Sequence, residues 1–71
     1  MKKYYIEIYD KLINELLIES KWFDTKEEAL RWFEDSFCYH GYVGARLNSV
    51  DFDENGEYNE DEIKEEEKLS W

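Results

Sequence analysis

The sequence has no proline and a single cysteine, Cys38, in 71 residues. Without proline there is no proline-rich linker, and no internal repeat is visible, so residues 1–71 read as one small domain. A lone cysteine excludes an intramolecular disulfide as a staple for a core of marginal size. It also argues for a reducing setting, and the expected location is the cytoplasm. No apolar run approaches the roughly 18–20 residues of a membrane helix. Met1-Lys2-Lys3 is basic but leads into Tyr4-Tyr5-Ile6-Glu7-Ile8, which alternates, so no signal peptide is expected. Cations are scarce: nine Lys and Arg stand against 19 Asp and Glu, for a net charge of −10. A surface of this sign repels nucleic acid and anionic membrane, so neither is expected as a direct ligand. Basic protein surfaces and divalent cations remain.

The negative charge is unevenly placed. Residues 51–71 hold ten carboxylates (Asp51, Asp53, Glu54, Glu57, Glu60, Asp61, Glu62, Glu65, Glu66 and Glu67) against Lys64 and Lys68. Eight of the ten net charges therefore lie in the last 21 residues, while the first fifty are nearly balanced. Charges packed this densely repel one another and destabilise a compact state that has little stability in reserve. A positively charged partner would relieve that repulsion.

The chain is not a disordered acidic tail. It has thirteen aromatic residues, each able to bury on the order of 150–250 Å², whereas highly charged disordered chains are poor in aromatics. Tyr4 to Tyr9 alternates, with Tyr4, Ile6 and Ile8 on one face and Tyr5, Glu7 and Tyr9 on the other, as in a half-buried strand. Glu15 to Trp22 repeats the pattern, with Leu16, Ile18 and Trp22 sharing a face, and Asp10-Lys11 and Asn14 supply the turn of a hairpin. The competing reading is a helix over Lys11 to Ser20. Thr25 with Glu28 forms a capping box, and Ala29, Leu30, Phe33 and Phe37 form a helical stripe ending before Gly41, which places a helix over Lys26 to Tyr39. Trp22, Phe23, Trp32, Phe33 and Phe37 are expected in the core around it. Tyr42 to Asp53 reads as a strand, Asn55-Gly56 as a hairpin turn, and Tyr58 onward as the last strand, with Ile63, Leu69 and Trp71 on one face. A C-terminal helix capped by Asn59 is the rival. The expected fold is α+β, in the order β-β-α-β-β: an antiparallel sheet with one helix on a face and an acidic C-terminal hairpin over residues 45–70.

Asp51-Phe52-Asp53-Glu54-Asn55-Gly56 followed by Glu62 fits D-x-[DN]-x-[DN]-G-x5-E and resembles an EF-hand calcium loop. The resemblance implies side-chain oxygens from Asp51, Asp53 and Asn55, the Glu57 carbonyl, Asn59 at the ninth position, two oxygens from Glu62 and a sharp turn at Gly56. It covers twelve residues, Tyr58 replaces the usual aliphatic residue, and Gly41 to Val50 lacks the periodicity of an entering helix. A plain acidic hairpin is the preferred reading, and no metal or other cofactor is expected. Cys38 and His40 are two apart, but a zinc site needs four ligands. A nucleophilic Cys–His pair needs an electropositive setting, which the local charge denies. There is no phosphate loop or nucleophile elbow, and a domain this small rarely encloses a catalytic pocket. The chain is not expected to be an enzyme.

In size, acidity, compact αβ pattern and lack of catalytic residues, the chain resembles phage- and plasmid-borne inhibitors of host nucleases, including anti-CRISPR proteins. The resemblance is one of type, with no shared motif. It implies that carboxylates stand in for phosphates on a basic, nucleic-acid-binding surface of a partner such as a CRISPR effector. Neighbours on one face of a strand are about 6–7 Å apart, so Glu57, Asp61, Glu65 and Glu67 would span several cations. A calcium-binding module using Asp51, Asp53, Asn55, Glu57 and Glu62 is the alternative. An accessory protein whose acidity only maintains solubility is a third.

Overall fold

The computed structural model describes residues 1–36 and 43–70. Its elements are strand β1 (Lys2–Asp10), strand β2 (Glu15–Glu19), helix α1 (Lys26–Ser36), strand β3 (Val43–Asp51), a 3₁₀ turn (Glu60–Glu62) and strand β4 (Lys64–Ser70). The four strands form one antiparallel sheet in the order β2-β1-β3-β4. This is the expected α+β domain, with β1 and β3 central and β2 and β4 at the edges.

The central pair fixes which side chains enter the core. Ile6 lies opposite Leu47 and Ile8 opposite Ala45, and opposed residues in an antiparallel pair share a face. All four are buried, with Phe23, Ala29 and Phe33 completing the core. Ala29 and Phe33 come from the inner stripe of α1, while Leu30 and Trp32 flank it, half-buried. Phe37, Tyr39 and Gly41, expected to finish the stripe and stop the helix, lie outside the described residues, as do Cys38, His40, Tyr42 and Trp71.

Thr25 starts the helix by accepting a hydrogen bond from the Glu28 amide at 3.2 Å. Its hydroxyl donates to Glu28 Oε1 at 3.1 Å. The Thr25–Glu28 cap therefore forms, with the glutamate meeting the hydroxyl instead of the Thr25 backbone amide.

Three expectations require correction. First, Leu16, Ile18 and Trp22 do not share a face. Ile8 pairs with Ile18 and Tyr9 with Leu16, so Leu17 is an extra residue in a bulge. One inserted residue reverses every side chain beyond it. Leu16, Leu17 and Ile18 remain about half exposed along the β2 edge.

Second, Trp22 is not part of the core. Phe23 exchanges two backbone hydrogen bonds with Tyr4, 2.9 and 2.7 Å long. This sets the Phe23 side chain on the helix side, and successive residues of an extended chain point oppositely. Trp22 therefore falls on the far face, 37 % exposed.

Third, the last strand begins at Lys64, not at Tyr58. Asp53 Oδ1 accepts the amides of Asn55 and Glu57 at 2.9 and 3.0 Å, and Gly56 has φ +79°. Asn59 caps the 3₁₀ turn by accepting the Asp61 amide at 2.9 Å. Phe52 still exchanges backbone hydrogen bonds with Met1, 2.8 and 2.7 Å long, but beyond it these side chains satisfy backbone donors locally and withdraw residues 53–63 from the ladder. Asn59 is thus a cap, as the helical rival required, but for a single 3₁₀ turn.

Candidate functional site

The end of β3, the β3–β4 connection and the β4 edge carry the whole acidic band. All ten carboxylates, Asp51, Asp53, Glu54, Glu57, Glu60, Asp61, Glu62, Glu65, Glu66 and Glu67, belong to exposed residues. Two are paired: Glu66 lies 3.3 Å from Lys2 Nζ and Glu67 3.4 Å from Lys26 Nζ. Among the described residues the other eight form no ion pair.

Two bulges in β4 divide its glutamates between the faces. Asn48 pairs with Glu65 and Leu47 with Glu67, so Glu66 is an inserted residue; Leu69 is inserted in the same way. Glu67 consequently projects to the helix face and reaches Lys26, whereas Glu65 projects to the far face with Asn48. The expected single row of Glu57, Asp61, Glu65 and Glu67 does not exist, nor does the common face of Ile63 and Leu69 through positions 65 and 67. The carboxylates instead ring the end and edge of the sheet. Glu66 also accepts from Ser49 Oγ at 2.5 Å. That hydrogen bond, followed by the contact with Lys2, holds its carboxyl below the usual range against an opposing desolvation.

The far face of the sheet holds an aromatic group that the sequence reading did not single out as a site. Trp22 is the hub. Its ring lies 4.8 Å from Tyr5, 5.0 Å from Phe52 and 5.3 Å from Tyr58 between centroids, each pair edge to face. Tyr5 is held on this face by its register opposite Asn48. Burial, chiefly, pushes its phenol up, with the carboxylates of Glu7 and Glu19 adding to the shift and a hydrogen bond with Asn48 opposing it. Tyr5 therefore stays neutral at ordinary pH.

A hollow of about 240 Å³ opens beside Trp22 and is lined by Tyr5, Glu19, Ser20, Trp22, Tyr58, Glu60 and Ile63. Ser20 anchors its floor: the amide donates to Ile6 O at 2.8 Å, and the hydroxyl accepts from Ile6 N at 2.7 Å. The signal in the sequence was the polar-face position of Tyr5, together with Phe52 and Tyr58 flanking the acidic turn.

A second hollow, of about 310 Å³, adjoins the first at Tyr58 and is lined by Asp51, Asp53, Glu57, Tyr58, Asn59 and Glu62. The calcium-loop residues thus gather around one space, apart from Asn55. They do not form a coordination sphere: no group of three Asp, Glu, His or Cys converges as metal ligands among the described residues. The loop is entered from a strand, and Asp53 Oδ1 and Asn59 Oδ1 are already occupied by backbone amides.

No described helix is long and apolar enough to cross a membrane. Neither the family models nor the curated proteins nor the solved structures contain a match to this chain.

Proposed function

We propose that this chain is a non-enzymatic acidic protein that occupies a basic, nucleic-acid-binding surface of a partner protein and inhibits it, in the manner of a DNA-mimic anti-CRISPR. The observation that supports this reading is the set of ten exposed carboxylates on one end and edge of the sheet, eight of them without an ion pair among the described residues. Their mutual repulsion opposes folding, and a surface of lysines and arginines would relieve it on binding. The β3–β4 connection presents Asp53, Glu54, Glu57, Glu60, Asp61 and Glu62 together, so the contact is broad and electrostatic.

The test compares two charge reversals of equal size. Glu57, Asp61 and Glu65 are exposed and lie outside the core. Changing all three to Lys leaves the fold intact and abolishes inhibition of nucleic-acid binding in a panel of purified CRISPR effectors and host nucleases. Changing Glu27, Glu34 and Asp35 on the exposed side of α1 to Lys has much less effect; Glu28 is spared because it belongs to the helix cap. The wild-type complex weakens with salt, and duplex DNA competes with it. Loss of inhibition with the helix triple but not with the other triple would overturn the proposal.

A further inference from the structure

We infer that the hollow between Tyr5, Trp22 and Tyr58 is a receptor for one side-chain cation, the ammonium of a lysine or the guanidinium of an arginine. Its walls carry the two features such a group requires. The aromatic side chains of Tyr5, Trp22 and Tyr58 and the carboxylate-bearing Glu19 and Glu60 share one lining. Tyr5 and Tyr58 meet Trp22 at interplanar angles of 65° and 66°. Neither pair is a flat stack. Trp22 and Tyr58 remain 37 % and 40 % exposed, so aromatic surface is open to an arriving group.

The volume, about 240 Å³, falls below the roughly 300–1,000 Å³ of sites that enclose a whole small ligand. It suits one head group and part of its stem. Charge decides the sign of the ligand. An anion is repelled by Glu19, Glu60 and the net charge of −10. A neutral apolar group would cover the rings but leave both carboxylates losing water without a partner. A cation satisfies rings and carboxylates together.

The fold already uses this chemistry elsewhere. Arg46 lies 4.6 Å from the Tyr9 ring centroid, Lys21 lies 5.5 Å from Phe23, Lys2 lies 5.6 Å from Tyr4 and Lys3 lies 6.0 Å from Phe52. Among the described residues, none of the chain's cations sits over Tyr5, Trp22 or Tyr58. The cation therefore comes from outside. Assigning it to a basic partner rests on the function proposed above, whereas the preference of the hollow for a cation does not.

The full chain is titrated with N-acetyl-arginine amide, N-acetyl-lysine amide and, as the uncharged counterpart, N-acetyl-norleucine amide, while the Trp22 indole and Tyr58 ring resonances are followed by NMR. Both cations shift these signals saturably, with dissociation constants on the order of millimolar for a single side chain, and norleucine binds at least roughly tenfold more weakly. Tyr58→Leu, at an exposed position, weakens the cations roughly 3- to 30-fold, and Glu19→Gln with Glu60→Gln reduces the preference over norleucine. Equal binding of norleucine, or shifts that spread over the acidic band and bypass Trp22, would overturn the assignment. The two proposals separate cleanly. Cation binding at Trp22 with inhibition unaffected by the Glu57, Asp61 and Glu65 reversal sinks the inhibitor reading alone. Charge-dependent inhibition without cation binding at Trp22 sinks the hollow alone.

Discussion

Replacing Gly44 by alanine tests whether the far face of the sheet is as tightly packed as the core. Gly44 lies in β3 opposite Tyr9 of β1. In an ordinary strand, glycine to alanine gains about 0.5–1 kcal/mol, because the unfolded chain loses backbone freedom. Here a Cβ would stand 2.7 Å from Tyr9 Cζ and 2.9 Å from its hydroxyl oxygen. Carbon atoms in contact sit about 3.5–4.0 Å apart, so the ring would have to retreat by about 1 Å. It has little room to do so. Tyr9 is only 3 % exposed, and Arg46 packs on the same ring at 4.6 Å. Overpacking of this kind costs about 1–3 kcal/mol. After the entropic gain is offset, a net loss of about 1–2 kcal/mol remains. A 71-residue chain has about 4–11 kcal/mol in all. The expected fall in Tm is about 5–15 °C, read by circular dichroism and cross-checked by urea unfolding. The same substitution in a Tyr9→Leu background should be neutral or stabilising, since the obstructing ring is gone. A raised Tm for Gly44→Ala alone, or equal losses in both backgrounds, would refute the close-approach argument.

Acid should remove the contribution of Glu66. Its folded pKa lies below the ordinary value of 4.5, so its stabilisation is complete above that value and is lost as pH falls through the lower, folded one. A Ser49→Ala variant removes the largest cause of the shift, and its Tm deficit should shrink as pH drops below about 4.5; a deficit independent of pH would contradict this. Lys2 behaves oppositely, its pKa raised above 10.5, first by its hydrogen bond to Glu66, so its contribution disappears in strong alkali as pH rises through the folded value. Calcium should show no saturable calorimetric binding tighter than about 10⁻⁴ M, because Asp53 and Asn59 spend their Oδ1 atoms on local amides and no three ligands converge among the described residues; tighter binding would promote the calcium-module alternative. On the β2 edge, Leu17→Thr at a half-exposed bulge position should change stability by no more than about 0.5 kcal/mol, whereas Leu47→Ala in the fully buried core should lose about 2–5 kcal/mol. Comparable losses at the two sites would mean that the edge is not exposed in solution.

Local patterns in the sequence determined the element order, the inward face of β1 and the start of the helix. Ile6 and Ile8 alternate with polar residues, Thr25 and Glu28 stand at capping distance, and Ala29 and Phe33 recur at helical spacing. These signals act between near neighbours and survive without knowledge of the fold. The acidity of residues 51–67 was equally plain, because charge is additive along a chain. What the sequence could not determine was the phase of side chains beyond an irregularity. The inserted residues Leu17, Glu66 and Leu69 leave no mark in composition, since a bulge arises from pairing with another strand. Each one reverses the faces that follow it, which separates Leu16 from Ile18 and Glu65 from Glu67. Likewise Trp22 and Phe23 are equally apolar, and only the backbone pairing of Phe23 with Tyr4 decides that Phe23 enters the core while Trp22 joins Tyr5 and Tyr58 outside it. The aromatic hollow gathers residues from β1, from the link after β2 and from the β3–β4 connection. Contacts between segments so far apart in the chain are made by tertiary packing alone.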